Sequence, residues 1–118
     1  MLNFGSGTKV FLVAGPTDMR KSFDTLAAVV RTVIDSDPLS GHLFVFCNRR
    51  RDRLKALIWE SSGFWLLAKR LEKGTFSWPD VSVAKVEYSS AQLAALLEGL
   101  ELSGRRRKRF KGLKKHTN

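Results

Sequence analysis

Cysteine is almost missing from this chain, and the single one, Cys47, excludes an internal disulfide framework. Histidine is nearly as scarce, with His42 and His116 alone, so no paired ligand spacing of the kind that holds a structural zinc ion is present. His42 and Cys47 lie five apart on one apolar stretch; in a strand they point to opposite faces, which argues against a catalytic pair. No run approaches the roughly 18 apolar residues that a membrane-spanning helix needs. The opening MLNFGSGTKVFLVAG lacks the basic start and long apolar stretch of a secretion signal. The expected location is therefore the cytoplasm, without membrane contact. A glycine-rich phosphate loop is missing too, because Gly15-Pro16-Thr17-Asp18 has neither the glycines nor the lysine. No cofactor is expected.

Acidic residues are missing from one region only. Eight of the 21 Lys/Arg and none of the 11 Asp/Glu fall in 103–118, leaving 13 bases against 11 acids in the rest. The net charge of +10 is thus concentrated rather than spread. Localised positive charge points first to nucleic acid and less often to an acidic membrane surface. In other respects the composition, 43% hydrophobic and 27% charged over 118 residues, is that of one ordinary globular domain. The organisation expected is a flexible lead-in at 1–8, a single domain at 9–102 and a disordered basic tail at 103–118, where dense like charges repel one another.

Apolar patterning gives the elements. Lys9–Ala14 reads as a first strand. Thr17 or Asp18 then caps a long helix, whose stripe is Met19, Phe23, Leu26, Ala27, Val30, Val33 and Ile34, ended by Asp35–Gly41 with Pro38 inside it. His42–Cys47 and Leu54–Glu60 read as a hairpin whose first strand is apolar on both faces and so central. Phe44, Phe46 and Ile58 are core candidates. Phe64–Leu71 follows, then a short stretch at Thr75–Trp78 that stops at Pro79, and an edge strand at Lys85–Tyr88. Ser89 and Gln92 fit a capping box for a shorter last helix with Leu93, Leu96, Leu97 and Leu100 on its apolar side and Gly99 as its stop. The fold class expected is α+β: a mostly antiparallel sheet of about five strands, one long helix after the first strand and a shorter C-terminal helix.

Four basic groups stand out. Arg20 and Lys21 fall in the first turn of the expected helix, where cations meet the positive end of the helix dipole and a bound anion would offset them; the plainer reading is two side chains reaching into water. Arg49, Arg50, Arg51 and Arg53, with Lys55 just beyond, crowd the hairpin tip. Guanidinium forks suit phosphate, and a two-stranded ribbon fits a DNA major groove; against that stands a solvated loop with Asp52 pairing to a neighbour. Lys69 and Arg70 end the next strand, and Arg105, Arg106, Arg107, Lys108 and Arg109 head the tail. Such a tail adds affinity without sequence choice, or is an idle charged terminus. Acids that a two-metal nuclease would need exist in number (Asp18, Asp24, Asp52, Glu60, Glu72), but their spacing matches no nuclease motif. Trp59, Trp65 and Trp78 with Phe64 and Phe76 read as core first and as a docking surface second.

Several blocks resemble one known family. Gly15-Pro16-Thr17-Asp18-Met19-Arg20-Lys21-Ser22-Phe23-Asp24 looks like its G-x-T-D-M-R-K-[GS]-F-D signature. Ser40–Phe46 and Asn48–Lys55 match S-G-H-L-F-V-F followed by N-R-R-x-D-R-L-K. Lys69-Arg70-Leu71-Glu72-Lys73-Gly74, Trp78-Pro79 and Gln92-Leu93 with Leu96-Leu97-Glu98-Gly99 follow in order. Over residues 9–100 the chain is similar to the TnpB accessory proteins (second open reading frame) of IS66-type bacterial insertion sequences. Ser61-Ser62 departs from the family's usual turn, and the tail lies beyond the resemblance. The resemblance implies a role in DNA transposition beside a separate transposase and offers no catalytic residues to carry over. The expected function is a non-enzymatic accessory protein that binds DNA through its basic clusters; the alternative is an adaptor that recruits or assembles the transposase without specific DNA contact.

Overall fold

The computed structural model describes residues 7–79 and 82–99. In chain order it contains β1 (Val10–Pro16), α1 (Phe23–Thr32), β2 (Leu43–Cys47), β3 (Arg53–Glu60), β4 (Gly63–Arg70), β5 (Lys85–Tyr88) and α2 (Ser90–Leu97). The five residues of β2 are all apolar, so neither of its faces can be left in water, and all are buried. β2 accordingly takes the middle of a five-stranded sheet ordered β4-β3-β2-β1-β5. It pairs antiparallel with β3 and parallel with β1, the helix α1 supplying the crossover that a parallel pair requires. The short, half-charged β5 closes the edge against β1, as its alternating Lys and Glu lead one to expect.

Side chains alternate across the sheet and build two cores. On one face Leu43, Val45 and Cys47 join Leu12, Ala56 and Ile58 beneath Phe76, Trp78 and the α2 residues Leu93 and Leu96. On the other, Phe44, Phe46, Val13 and Leu57 pack under Leu26, Ala27, Val30 and Ile34. Phe44, Phe46 and Ile58 are thus in the core, as expected. Thr75–Trp78 is not a strand, yet Phe76 and Trp78 are buried, and the Trp78 indole N–H donates to the Val13 carbonyl at 3.0 Å. Burial pushes the Cys47 thiol up to about 12, so it stays a protonated, small apolar group.

The capping box of α2 is present: Ser89 N–H donates to Gln92 Oε1 at 2.8 Å, and Gln92 N–H donates to Ser89 Oγ at 3.1 Å. Gly99 follows the helix at φ +79°, donating its N–H to Leu96. The first helix corrects the expectation. It is not long: α1 has 10 residues against 8 in α2, and its N-cap is Ser22, not Thr17 or Asp18. Asp18 instead closes a turn of its own, its carboxylate accepting the Arg20 N–H at 2.9 Å and its carbonyl the Lys21 N–H at 3.1 Å. Helix geometry begins only where Thr25 Oγ takes the Ser22 N–H at 2.8 Å. At the far end Asp35 adopts a left-handed φ of 49°, which ends the helix before Pro38 is reached. Phe23 and Val33, counted in the apolar stripe, are 43% and 58% exposed because they lie at the two margins of this shorter helix. The basic segment 103–118 and the start of the lead-in lie outside the described residues.

Phe46 is fully buried under α1. Phe46→Ala is expected to cost about 3–5 kcal/mol of unfolding free energy, read by urea denaturation. A loss under about 1 kcal/mol would contradict its place in the core.

Candidate nucleic-acid interface

The sheet register brings the basic groups together. Pro16 stands opposite Cys47, Cys47 opposite Leu54, and Leu54 opposite Lys69, one line across four strands. Everything just past that line emerges at the same end of the sheet: the β1–α1 connection with Arg20 and Lys21, the β2–β3 turn with Arg49, Arg50 and Arg51, and the end of β4. Arg53 and Arg70 are cross-strand partners, hence on the same face. Clusters well apart in sequence, at 20–21, 49–53 and 69–70, thus share one end of the sheet.

The turn that carries the arginines is tightly organised. The Asn48 side-chain oxygen accepts the N–H groups of Asp52 and Arg53, both at 3.0 Å, while its amide donates to the Asp52 carboxylate at 2.8 Å. The Arg51 N–H donates to the Asn48 carbonyl, and Arg51 has a left-handed φ of 63°. Two distant segments clamp the backbone from outside: Leu71 N–H donates to Asp52 O at 2.8 Å, and Phe76 N–H to Arg51 O at 2.7 Å. Asn48 is absent from the residues that charge alone singles out. Its signal is nonetheless in the sequence, since an Asn opening a turn bonds the backbone that follows it.

Charge pairing sorts the cations. Arg20, outside the helix after all, grips Asp18, its Nη2 at 2.6 Å and its Nε at 3.0 Å from Oδ2. The guanidinium beside it holds the Asp18 carboxyl at about 2, so the pair is fully ionised at neutral pH. Arg70 is tied to Glu72, its Nε and Nη2 both 3.0 Å from Oε2. Lys55 is part-buried and donates to the Lys21 carbonyl at 2.7 Å, bracing the β1–α1 connection against β3. By contrast, no carboxylate among the described residues lies in ion-pair range of Arg49, Arg50, Arg51 or Arg53. Asp52, the acid nearest to them in sequence, is held by Asn48.

Between the turn and the β1–α1 connection lies an open cleft of about 530 Å³, lined by Arg49, Arg50, Arg53 and Arg70 together with Asp18 and Asp52. A second concavity on its flank is reached by Lys55 and Lys69. Arg51 does not line the main cleft; with Arg49 it borders a smaller one of about 120 Å³ beside Trp78 and Pro79. Arg105, Arg106, Arg107, Lys108 and Arg109 lie outside the described residues. Of the acids considered for metal chemistry, Asp18 and Asp52 meet the cleft, but Glu60 is at the other end of β3, hydrogen bonded to the Trp65 indole at 3.2 Å. No three His, Cys, Asp or Glu side chains gather into a metal site among the described residues. The aromatic set divides: Phe76 and Trp78 are core, Trp59 and Phe64 meet edge to face at 5.2 Å, and Trp65 is 60% exposed. No described helix is long and apolar enough to cross a membrane.

Two proteins of Sinorhizobium fredii (strain NBRC 101917 / NGR234) are similar to this chain. Uncharacterized protein y4hO is 40% identical over 101 residues, 86% of this chain and 88% of its own length. Uncharacterized protein y4jC is 32% identical over 111 residues, 94% and 95% of the two chains. No solved structure matches. A family model described as IS66 Orf2 like protein matches residues 8–109, a span that takes in the whole sheet and every element lining the cleft. The chain belongs to the IS66 Orf2-like family of transposition-associated accessory proteins.

Proposed function

We propose that this protein assists transposition by binding DNA through the basic end of its sheet, working beside a separate transposase and carrying out no catalysis of its own. The observation that carries this reading is the set of four arginines, Arg49, Arg50, Arg51 and Arg53, held on a clamped turn with no acidic partner in ion-pair range among the described residues. Like charges fixed this close repel one another, and phosphate oxygens would relieve the repulsion with charge-assisted bonds. Arg20, Lys21, Lys55, Lys69 and Arg70 surround them with further positive potential, and Arg105–Arg109 would add non-specific affinity. A second reading has one observation in its favour. Trp65, exposed on the outer strand β4 with its indole already fixed by Glu60, offers an apolar contact for a protein partner. Pull-down of transposase that survives nuclease treatment, and is abolished by Trp65→Ala, would support it.

Replacing Arg49, Arg50, Arg51 and Arg53 together by Ala is expected to weaken binding to terminal inverted-repeat DNA. The slope of log affinity against log salt should flatten by about 0.9 for each phosphate that the variant no longer neutralises. Unchanged affinity and slope would remove the turn from the interface.

Asp18→Asn keeps an oxygen for the Arg20 N–H but frees the guanidinium. DNA binding should tighten and its salt dependence steepen. If Asp18 instead held a metal for DNA cleavage, the same change would leave binding unaltered and abolish cutting.

Arg51→Gly separates charge from backbone. Glycine accepts the left-handed φ, so stability should hold or rise by about 1 kcal/mol while DNA affinity falls. A large loss of stability, read by thermal unfolding, would show that the Arg51 side chain holds the turn together.

A further inference from the structure

The cleft is concave, and duplex DNA is not. Its volume of about 530 Å³ falls in the range of small-ligand pockets, roughly 300–1,000 Å³, enough for one nucleotide unit but not for a double helix. Four guanidinium-bearing residues, Arg49, Arg50, Arg53 and Arg70, border this one space. Of its two carboxylates, Asp18 is paired with Arg20, and Asp52 is hydrogen bonded to the Asn48 amide; neither is in ion-pair range of Arg49, Arg50 or Arg53. Arg70 is held by Glu72 through a fully surface pair, both side chains more than half exposed, and such pairs contribute little. An anion of higher charge density can draw Arg70 away from it.

What would match this set? A backbone phosphodiester carries one negative charge and offers two free oxygens, and in a duplex it sits on a convex surface. A terminal phosphate monoester carries about −1.5 to −2 charges at neutral pH and three acceptor oxygens, and it stands at the tip of a strand. Several guanidinium forks around one small space suit the second better than the first. Rigidity favours it as well. Asn48 and the two outside clamps fix the turn before any ligand arrives, so little ordering cost falls on binding.

We infer that the cleft is a receptor for the phosphorylated end of a DNA strand, with Arg49, Arg50 and Arg53 as its direct ligands and Arg70 recruited from Glu72. This rests on the DNA-binding reading above and deepens it: the outer face of the turn and its neighbours meet the strand backbone, while the cleft takes the terminus.

The test compares one inverted-repeat sequence in four forms at fixed salt: a covalently closed minicircle, and linear fragments ending in hydroxyl groups, 5′-phosphate or 3′-phosphate. Full-length protein should bind at least one phosphorylated form about tenfold more tightly than the hydroxyl-ended fragment, a difference of about 1.4 kcal/mol. In Arg49→Ala/Arg53→Ala protein that increment should disappear while binding to the minicircle persists more weakly. Glu72→Gln, which releases Arg70, should enlarge the increment. Circular dichroism of each variant guards against misfolding; the changed side chains are exposed. Equal affinity for phosphorylated and hydroxyl ends would overturn the receptor assignment and leave DNA binding standing. Failure to bind any of the four forms would overturn both. Competition by millimolar inorganic phosphate against the phosphorylated fragment alone would be a further expected result; equal weakening of all forms would mark the effect as ionic strength and count against the cleft.

Discussion

Everything at the basic end depends on β2 being buried on both faces. A strand with one wet face can slip by two residues and lose little; a five-residue apolar strand under α1 on one side and Trp78 and α2 on the other has no such freedom. The register to β1 and to β3 is thereby fixed, and β4 inherits it through β3. Three short stretches rich in cations then leave the sheet along one line. Hydrophobic packing in the middle of the protein positions charged groups at its end, although none of those charges contributes to the core. This division suits the electrostatics, because guanidinium groups at a wet rim keep their solvation until something anionic replaces it.

The pattern of pairing within that rim is informative in its own right. Arg20 and Arg70 have carboxylates two residues away, whereas the arginines of the β2–β3 turn have none in reach among the described residues. Surface ion pairs of the first kind are easily broken and are screened by salt. The rim therefore contains cations permanently available and cations held in reserve. Asn48 is central to the difference. Its amide holds the Asp52 carboxylate in an orientation that is out of ion-pair range of the turn's arginines.

Much of the fold could be read in the sequence. β2, β3, β4, β5 and the capping box of α2 lie within a residue or so of where periodicity and turn chemistry put them. The start of α1 could not be read, because Thr17, Asp18 and Ser22 are all good caps, and the choice is made by a tertiary contact. The Thr17 N–H donates to the Cys47 carbonyl at 2.7 Å, which keeps the chain extended past Pro16. With that boundary moved, Arg20 and Lys21 no longer face the helix dipole, although both still reach the same end of the sheet through register. Thr75–Trp78 was equally opaque: its alternation of Phe76 and Trp78 has strand period, but it joins no strand ladder, the Phe76 N–H donating to the Arg51 carbonyl and the Trp78 indole to that of Val13. The basic clusters were legible as charge. The meeting of Arg49, Arg50 and Arg53 with Arg70 in one cleft was not, since pairing between strands, not spacing along the chain, brings them together.

The place of β5 bears on how the chain comes to be folded during synthesis. β1, complete by residue 16, finds its second neighbour only in residues 85–88. Until those emerge from the ribosome, one side of β1 presents unpaired N–H and C=O groups beside the apolar residues Val10 and Leu12, whose final cover comes from Tyr88 and α2. The arginine turn and its sheet neighbours, by contrast, are all synthesised by residue 70. A growing chain thus holds every residue of its arginine turn before it has the residues that seal its apolar face.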